Sequence, residues 1–349
     1  MVKNLAAGLR KAYRPAAGWR TVAILIFLLS PVPVFVLSMM LGNFHLSFAD
    51  TIGVITSKLM GTGGYPDIYY SVIFDIRLPR VLCAMMVGAS LSVSGAAFQG
   101  IFRNPLVDPY ILGLSSGAAF GAALSIAVLP WLSIQVAAFA FSLLAIGFAY
   151  LMARTGGQTP VVSLVLSGVI TSSIFTALLS IVQMMAHEKS LQSIVLWIMG
   201  SFNATAWSYV YDSWYLIAGG CAVMILLRWR LNVLAMGDEE ARAVGMNVEL
   251  YKGIFIVCAS LVAAVAVSIA GIIALVGLIV PHMLRMIFGP DHRLLIPLSA
   301  AFGATYLLLV DDVARAAFGF EIPASIITTL VGAPFFLYLL RKTKVSGWE

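Results

Sequence analysis

The feature that most constrains this chain is a series of apolar runs free of Asp, Glu, Lys and Arg. They lie at 21–41, 81–102, 111–129, 131–152, 161–186, 213–227, 253–270, 271–284, 294–310 and 322–340. A helix needs about 20 apolar residues to cross the hydrocarbon core of a bilayer, so the pattern predicts an all-α, polytopic membrane protein with about ten transmembrane helices. The stretch 253–284 is too long for one span and short for two. Gly271 and Gly277 lie inside it, and the break is placed at Ala270-Gly271. Of the 349 residues, 61% are hydrophobic and only 10% charged, against about 25% charged in an ordinary soluble domain. A soluble enzyme is excluded, and residues 1–349 read as one transmembrane domain.

Lys and Arg in the loops orient such a chain, because they accumulate on the cytoplasmic side. With the N-terminus inside, only Lys58, Arg77, Arg80, Lys189 and Arg315 of the 21 basic residues fall outside. Both termini are therefore expected in the cytoplasm, with a basic N-terminal segment at 1–20. The first apolar run follows basic residues and lacks a small-residue cleavage site, which reads as an uncleaved helix. The net charge of +6 is explained by topology, without nucleic acid. Arg77, Arg80 and Arg315 then stand against the usual bias.

Gly88, Ser92, Ala96 and Gly100 recur every four residues and so share one helix face, a signature of close helix packing. Spans two to five and seven to ten form two groups of four separated by one span, so they run in opposite directions, as in inverted-repeat transporters. No residue-level repeat accompanies this order.

The runs contain no Asp, Glu, Lys or Arg of the kind that proton- or sodium-coupled carriers place near the membrane centre. A stand-alone secondary transporter is the rival reading, disfavoured on that ground. There is no GxxxxGK[ST] loop for nucleotide phosphates, so ATP energy has to come from a partner. His45, His187, His282 and His292 are scattered, and Cys83, Cys221 and Cys258 lack CxxC spacing. No metal site, catalytic residue or cofactor is predicted within the chain.

The longest cytoplasmic connection, 228–252, contains a short predicted helix from Asp238 to Val244. Asp238 is the expected N-cap, Glu239 and Glu240 favour the positive end of the helix, and Gly245 can close the other end in a left-handed conformation. Leu234, Val244 and Met246 give the loop an apolar side, which makes it a candidate docking element.

The stretch RLPRVLCAMMVGASLSVSGAAFQGIFRNPLVDPYILGLSSGA at 77–118 resembles the signature region of the FecCD family of ABC importer permeases. GDEEARAVGM at 237–246 resembles the family's coupling segment. The likeness continues in GLIVPHMLRMIFGPDHRLLIPLSAAFGA at 277–304, DDVAR at 311–315 and EIPASIITTLVGAPFFLYLLRK at 321–342, and covers nearly the whole chain from about residue 20. The resemblance implies a type II importer permease fold in a prokaryotic plasma membrane, surrounded by lipid. It implies a homodimer carrying two ATP-binding cassette subunits, which bind ATP and Mg, and one periplasmic or lipid-anchored substrate-binding protein.

Site residues follow from the same resemblance. Arg77, Arg80 and Arg315 would receive acidic residues of the binding protein, with local pairing to Asp75, Asp311 and Asp312 as the alternative. Asp238, Glu239, Glu240, Ala241, Arg242 and Gly245 would couple to the ATPase. Asn104, Pro105 and Leu106, together with Thr159, Val161 and Val162, would form the cytoplasmic gate. Ser163, Ser167, Thr171 and Thr176 would line the pathway with hydroxyls, although serine and threonine also bond their own helix backbone. The implied cargo is a bulky metal chelate such as an iron–siderophore complex or haem, with cobalamin and oxyanions open as alternatives.

Overall fold

The computed structural model describes residues 17–42, 44, 46–316 and 321–342. Most of the basic segment 1–20, including Lys3, Arg10, Lys11 and Arg14, lies outside the described residues, as do His45 and Lys344. Among the described residues the chain is helical, with a single β-bridge between Thr155 and Gln158.

Among the described residues, seven helices are long and apolar enough to cross a membrane, and Leu114–Ala127, Val276–Phe288 and Ala324–Leu339 are shorter apolar helices. Together they take up the ten runs. The first span is α1 (Ala17–Leu29) and α2 (Pro31–Met40), joined end to end where Pro31 and Pro33 interrupt the backbone ladder. After α3 (Phe48–Met60), a turn at Asp67–Tyr70 and a π-helical stretch Ser71–Arg77 lead into α4 (Leu78–Ile101). Then come α5 (Leu114–Ala127), α6 (Ile134–Ala153), α7 (Val161–Met185), α8 (Glu188–Ile198) and α9 (Trp207–Leu234). The short α10 (Asp238–Ala243) precedes α11 (Val248–Ala270), α12 (Val276–Phe288), α13 (His292–Ala316) and α14 (Ala324–Lys342).

Helix α4 is the core element, buried along nearly its whole length and packed against α9, α11, α12 and α13. The small-residue stripe makes this possible. A β-carbon on Gly88 would collide with the carbonyl of Gly303, and one on Gly95 with that of Gly277, so α4 meets α13 and α12 backbone to backbone. The stripe is a packing face.

The break at Ala270-Gly271 is present. Gly271 stops α11 at φ +70, where any side chain would meet the carbonyl of Trp197, and Leu275, itself left-handed, opens α12. Helix α5 likewise opens after a left-handed residue, Gly113. In both groups of four, a long buried helix is followed by a break and a short helix. The breaks touch, since Tyr110 Oη donates to the Ile273 carbonyl at 2.9 Å.

Helices extend beyond the charge-free runs. Arg80 lies in the first turn of α4, and Asp311, Asp312 and Arg315 in the last turns of α13. Arg80, Asp311, Asp312 and Arg315 are thus helical and buried, whereas Lys58, Asp75 and Lys189 are exposed.

Candidate functional site

The described residues gather candidate functional groups in three places. The first is a groove of about 670 Å³ between α7 and the loop before α5, lined by Tyr110, Ile111, Ser172, Ser173, Thr176 and Ser180. No charged side chain lines it. Of the four residues expected to line a pathway, Thr176 lines this groove, but Ser167 and Thr171 are buried within the bundle, Thr171 against Gly113, and Ser163 is only partly exposed. The reason is rotation. Five residues separate Thr171 from Thr176, which at 3.6 residues per turn puts them about 140° apart, so one face cannot hold both. Ser173 and Ser180 donate to the carbonyls of Val169 and Thr176, each at 2.9 Å, so their lone pairs, not their protons, face the groove.

At the foot of α7 the two predicted gate segments differ. Asn104, Pro105 and Leu106 are exposed, and the Asn104 side chain accepts from Leu106 N at 2.9 Å, which fixes the turn. Val162 is 79% exposed and Val161 half-buried. Thr159 is buried and unavailable to a pathway: its N–H donates to Glu249 at 3.1 Å, its hydroxyl donates to the same carboxylate, and its carbonyl accepts from Lys252.

The second place is α10 and its flanks. The helix starts after Gly237, and the Asp238 side chain caps nothing. It is drawn instead to Lys252 Nζ, 2.5 Å away, because an ion pair with a buried ammonium outweighs one cap hydrogen bond. At the other end Gly245 is left-handed at φ +80, as its position predicts; its N–H donates to Arg242, and Met246 N–H to Ala241. Ala241 and Met246 bury against the bundle while Glu239, Glu240, Arg242 and Val244 face outward.

The third place, at the opposite end of the bundle, holds the three arginines. They are not presented to solvent: Arg77 and Arg315 are 3% exposed and Arg80 9%. Arg80 grips Asp311 through Nη2 at 2.8 Å and Glu321 through Nη1 at 3.1 Å. Arg315 donates to Asp312 at 2.5 Å and to the Ser38 carbonyl at 2.6 Å, with Asp311 at 3.8 Å. Arg77 has no acidic partner among the described residues. It donates to the carbonyls of Met39, Met40 and Phe44, where the C-terminus of α2 offers partial negative charge. The local-pairing alternative describes Arg80 and Arg315; Asp75 is exposed and takes no part in these contacts.

A model of the FecCD transport family matches residues 25–342. The chain belongs to the FecCD family. It is 42% identical over 286 residues to the cobalamin import system permease protein of Halobacterium salinarum, covering 81% of this chain and 77% of that protein. It is 40% identical over 316 residues to the molybdate import system permease protein of Haemophilus influenzae, covering 89% and 93%. A solved structure described as an inward-facing, metal-chelate type ABC transporter superposes with a TM-score of 0.81 at 36% identity, covering 92% of this chain and 99% of that one. The fold is thus that of a type II importer permease, and the chain is a transport subunit whose ATPase function belongs to a separate partner.

Against this FecCD frame, two functional groups escape the sequence reading. Glu321 is a second counter-ion of Arg80 beside Asp311; its place just before the last apolar run, on the same membrane side as Arg80, was the available signal. Lys252 counts in the sequence only as a cytoplasmic charge, yet it is 1% exposed. No linear pattern reports that. Among the described residues no group of His, Cys, Asp and Glu is arranged to hold a metal ion.

Proposed function

We propose that this FecCD permease pairs with a second copy of itself in a prokaryotic plasma membrane, both termini in the cytoplasm. Two ATP-binding cassette subunits sit on the α10 loops and one substrate-binding protein on the arginine end. The cargo is a bulky metal chelate of the iron–siderophore or haem kind. One observation carries the reading: α7 presents a hydroxyl-bearing, uncharged groove on a face its own chain leaves uncovered, with Val162, Leu166 and Val169 exposed on the same face. A second α7 across a two-fold axis closes the groove into a pathway with no fixed charge, which lets a large ligand pass without being held. ATP binding draws the cassettes together, and the two copies rock between outward- and inward-open states.

On the α10 side the exposed acids, Arg242 and Val244 offer a mixed polar and apolar contact, and Gly245 sets its geometry. On the arginine side, Arg77 and Arg315 hold backbone while Arg80 is the group that meets the binding protein, exchanging half-exposed Glu321 for a carboxylate of the partner. A planar guanidinium suits either carboxylate in the same bidentate way.

The test is reconstitution of permease, ATPase and binding protein in liposomes. Thr176→Trp, which fills the groove, is expected to stop binding-protein-dependent transport while the ATPase stays bound. Wild-type transport in that variant overturns the pathway assignment. Uptake by the permease alone would instead identify a secondary transporter. The chelate bound by the binding protein decides among iron–siderophore, haem, cobalamin and oxyanion.

A further inference from the structure

The α10 helix is joined to the start of α7 by two separate ionic arms that meet on one residue. In the first arm, Asp238 of α10 pairs with Lys252 of α11 at 2.5 Å, and the same ammonium donates to the Thr159 carbonyl at 3.3 Å. In the second, Arg242 of α10 lies 3.6 Å from Glu249 of α11, whose carboxylate accepts both the N–H and the hydroxyl of Thr159. Asp238 and Arg242 stand four apart on α10, and Glu249 and Lys252 three apart on α11, so each pair shares a helix face. Thr159 is thereby held through its N–H, its carbonyl and its side chain. It precedes Pro160, the N-cap of α7 at φ −60, whose ring leaves little backbone freedom to absorb a displacement.

A buried ammonium is costly to desolvate, and an apolar residue of similar volume usually serves stability as well or better. Lys252 nevertheless lies fully inside the fold, bonded to two segments that are otherwise separate in the chain. We propose that Lys252, with Glu249, is a positioning residue that transmits movement of α10 to the N-terminus of α7. When the ATPase displaces α10, Asp238 and Arg242 pull on these two side chains, Thr159 follows, and α7 with its groove and exposed Val162 shifts as one piece. This inference rests on α10 being the ATPase site.

The experiment uses the reconstituted transporter and measures transport and ATP hydrolysis in the same vesicles. Lys252→Met is expected to keep the ATPase bound and hydrolysing while transport per ATP falls by roughly 2- to 30-fold, the range of coupling losses along such networks. Lys252→Arg, which keeps the charge and both donors, is expected to retain most of the coupling. An assembled Lys252→Met transporter with a wild-type ratio overturns the proposal. If Lys252→Met does not assemble, Glu249→Gln, at a half-exposed position, takes its place: a lowered ratio supports the relay and an unchanged one overturns it. Val244→Glu, on the exposed face of the loop, tests the underlying reading separately, because ATPase binding that survives it removes α10 as the docking site whatever Lys252 does.

Discussion

Two buried charge clusters occupy opposite ends of this bundle, and they are built differently. At the arginine end, Arg80 and Arg315 bond acids on α13 and the segment before α14, and Arg77 bonds the end of α2. Most of these partners belong to α2 and α13, which pack against α4, while Glu321 and Phe44 lie in the segments beside them. At the α10 end, Lys252 and Glu249 bond a six-residue helix and a loop that have little packing of their own. The first cluster braces helices that already pack together, and only the bond from Arg80 to half-exposed Glu321 is open to exchange. The second ties a six-residue helix, which with its flank adds Ala241 and Met246 to the core, to the loop before α7, so the same chemistry anchors at one end and links at the other.

Breaking the anchor is expected to produce the largest effect on stability. Asp311→Ala leaves Arg80 and Arg315 short of a shared, 1%-exposed counter-ion, and a buried pair broken on one side costs about 3–5 kcal/mol. Thermal unfolding of the purified permease in detergent should show it, with expression falling in parallel. A loss under 1 kcal/mol would mean that the cluster is hydrated and that it does not anchor the bundle.

Arg77→Met comes next. It strips three carbonyls of their donor, which at about 1–3 kcal/mol for buried groups left unpaired should destabilise the α2–α3 connection. Hydrogen exchange at residues 41–47 reads this, and the protection of α11 should not change.

A pH effect is expected from one carboxyl outside both clusters. Asp108, in the loop between α4 and α5, is pushed up to about 6 by burial, which the Tyr110 N–H opposes only in part. Its folded pKa exceeds the unfolded value of about 3.9, so the folded state binds more protons between them. Stability is therefore expected to fall on the order of 1 kcal/mol as pH rises from 4 to 6 and then to level off. Asp108→Asn should remove that slope, and an identical slope in the variant would assign it elsewhere.

The smallest stability effect belongs to the linking cluster. Arg242 is 43% exposed and sits 3.6 Å from Glu249, so Arg242→Ala should cost about 0.2–1 kcal/mol. Its effect should appear in transport per ATP and hardly in melting temperature. A large drop in melting temperature with intact coupling would reverse the roles given to the two ends.

The sequence alone carries much of the fold. Charge-free runs of spanning length locate the ten apolar segments, and the break at Ala270-Gly271 is legible because glycine tolerates the left-handed backbone that ends α11. The short helix at Asp238 and its left-handed close at Gly245 follow from local chemistry as well. Those features depend on neighbours within a few residues and on the solvent each segment must enter. What each helix turns toward is another matter. Thr171 and Thr176 look alike in the sequence, and only the packing of α7 against the Gly113 loop buries one and bares the other. Arg80 and Arg315 stand out in the sequence as misplaced charges, but the burial of Arg80 follows from Asp311 and Glu321, and that of Arg315 from the Ser38 carbonyl, all more than 200 residues away along the chain. Lys252, an ordinary loop cation by position, becomes an interior strut only because α10 and Thr159 close over it. Which side chains are buried, and with which counter-ion, depends on surfaces that meet from distant parts of the chain, so tertiary structure decided it.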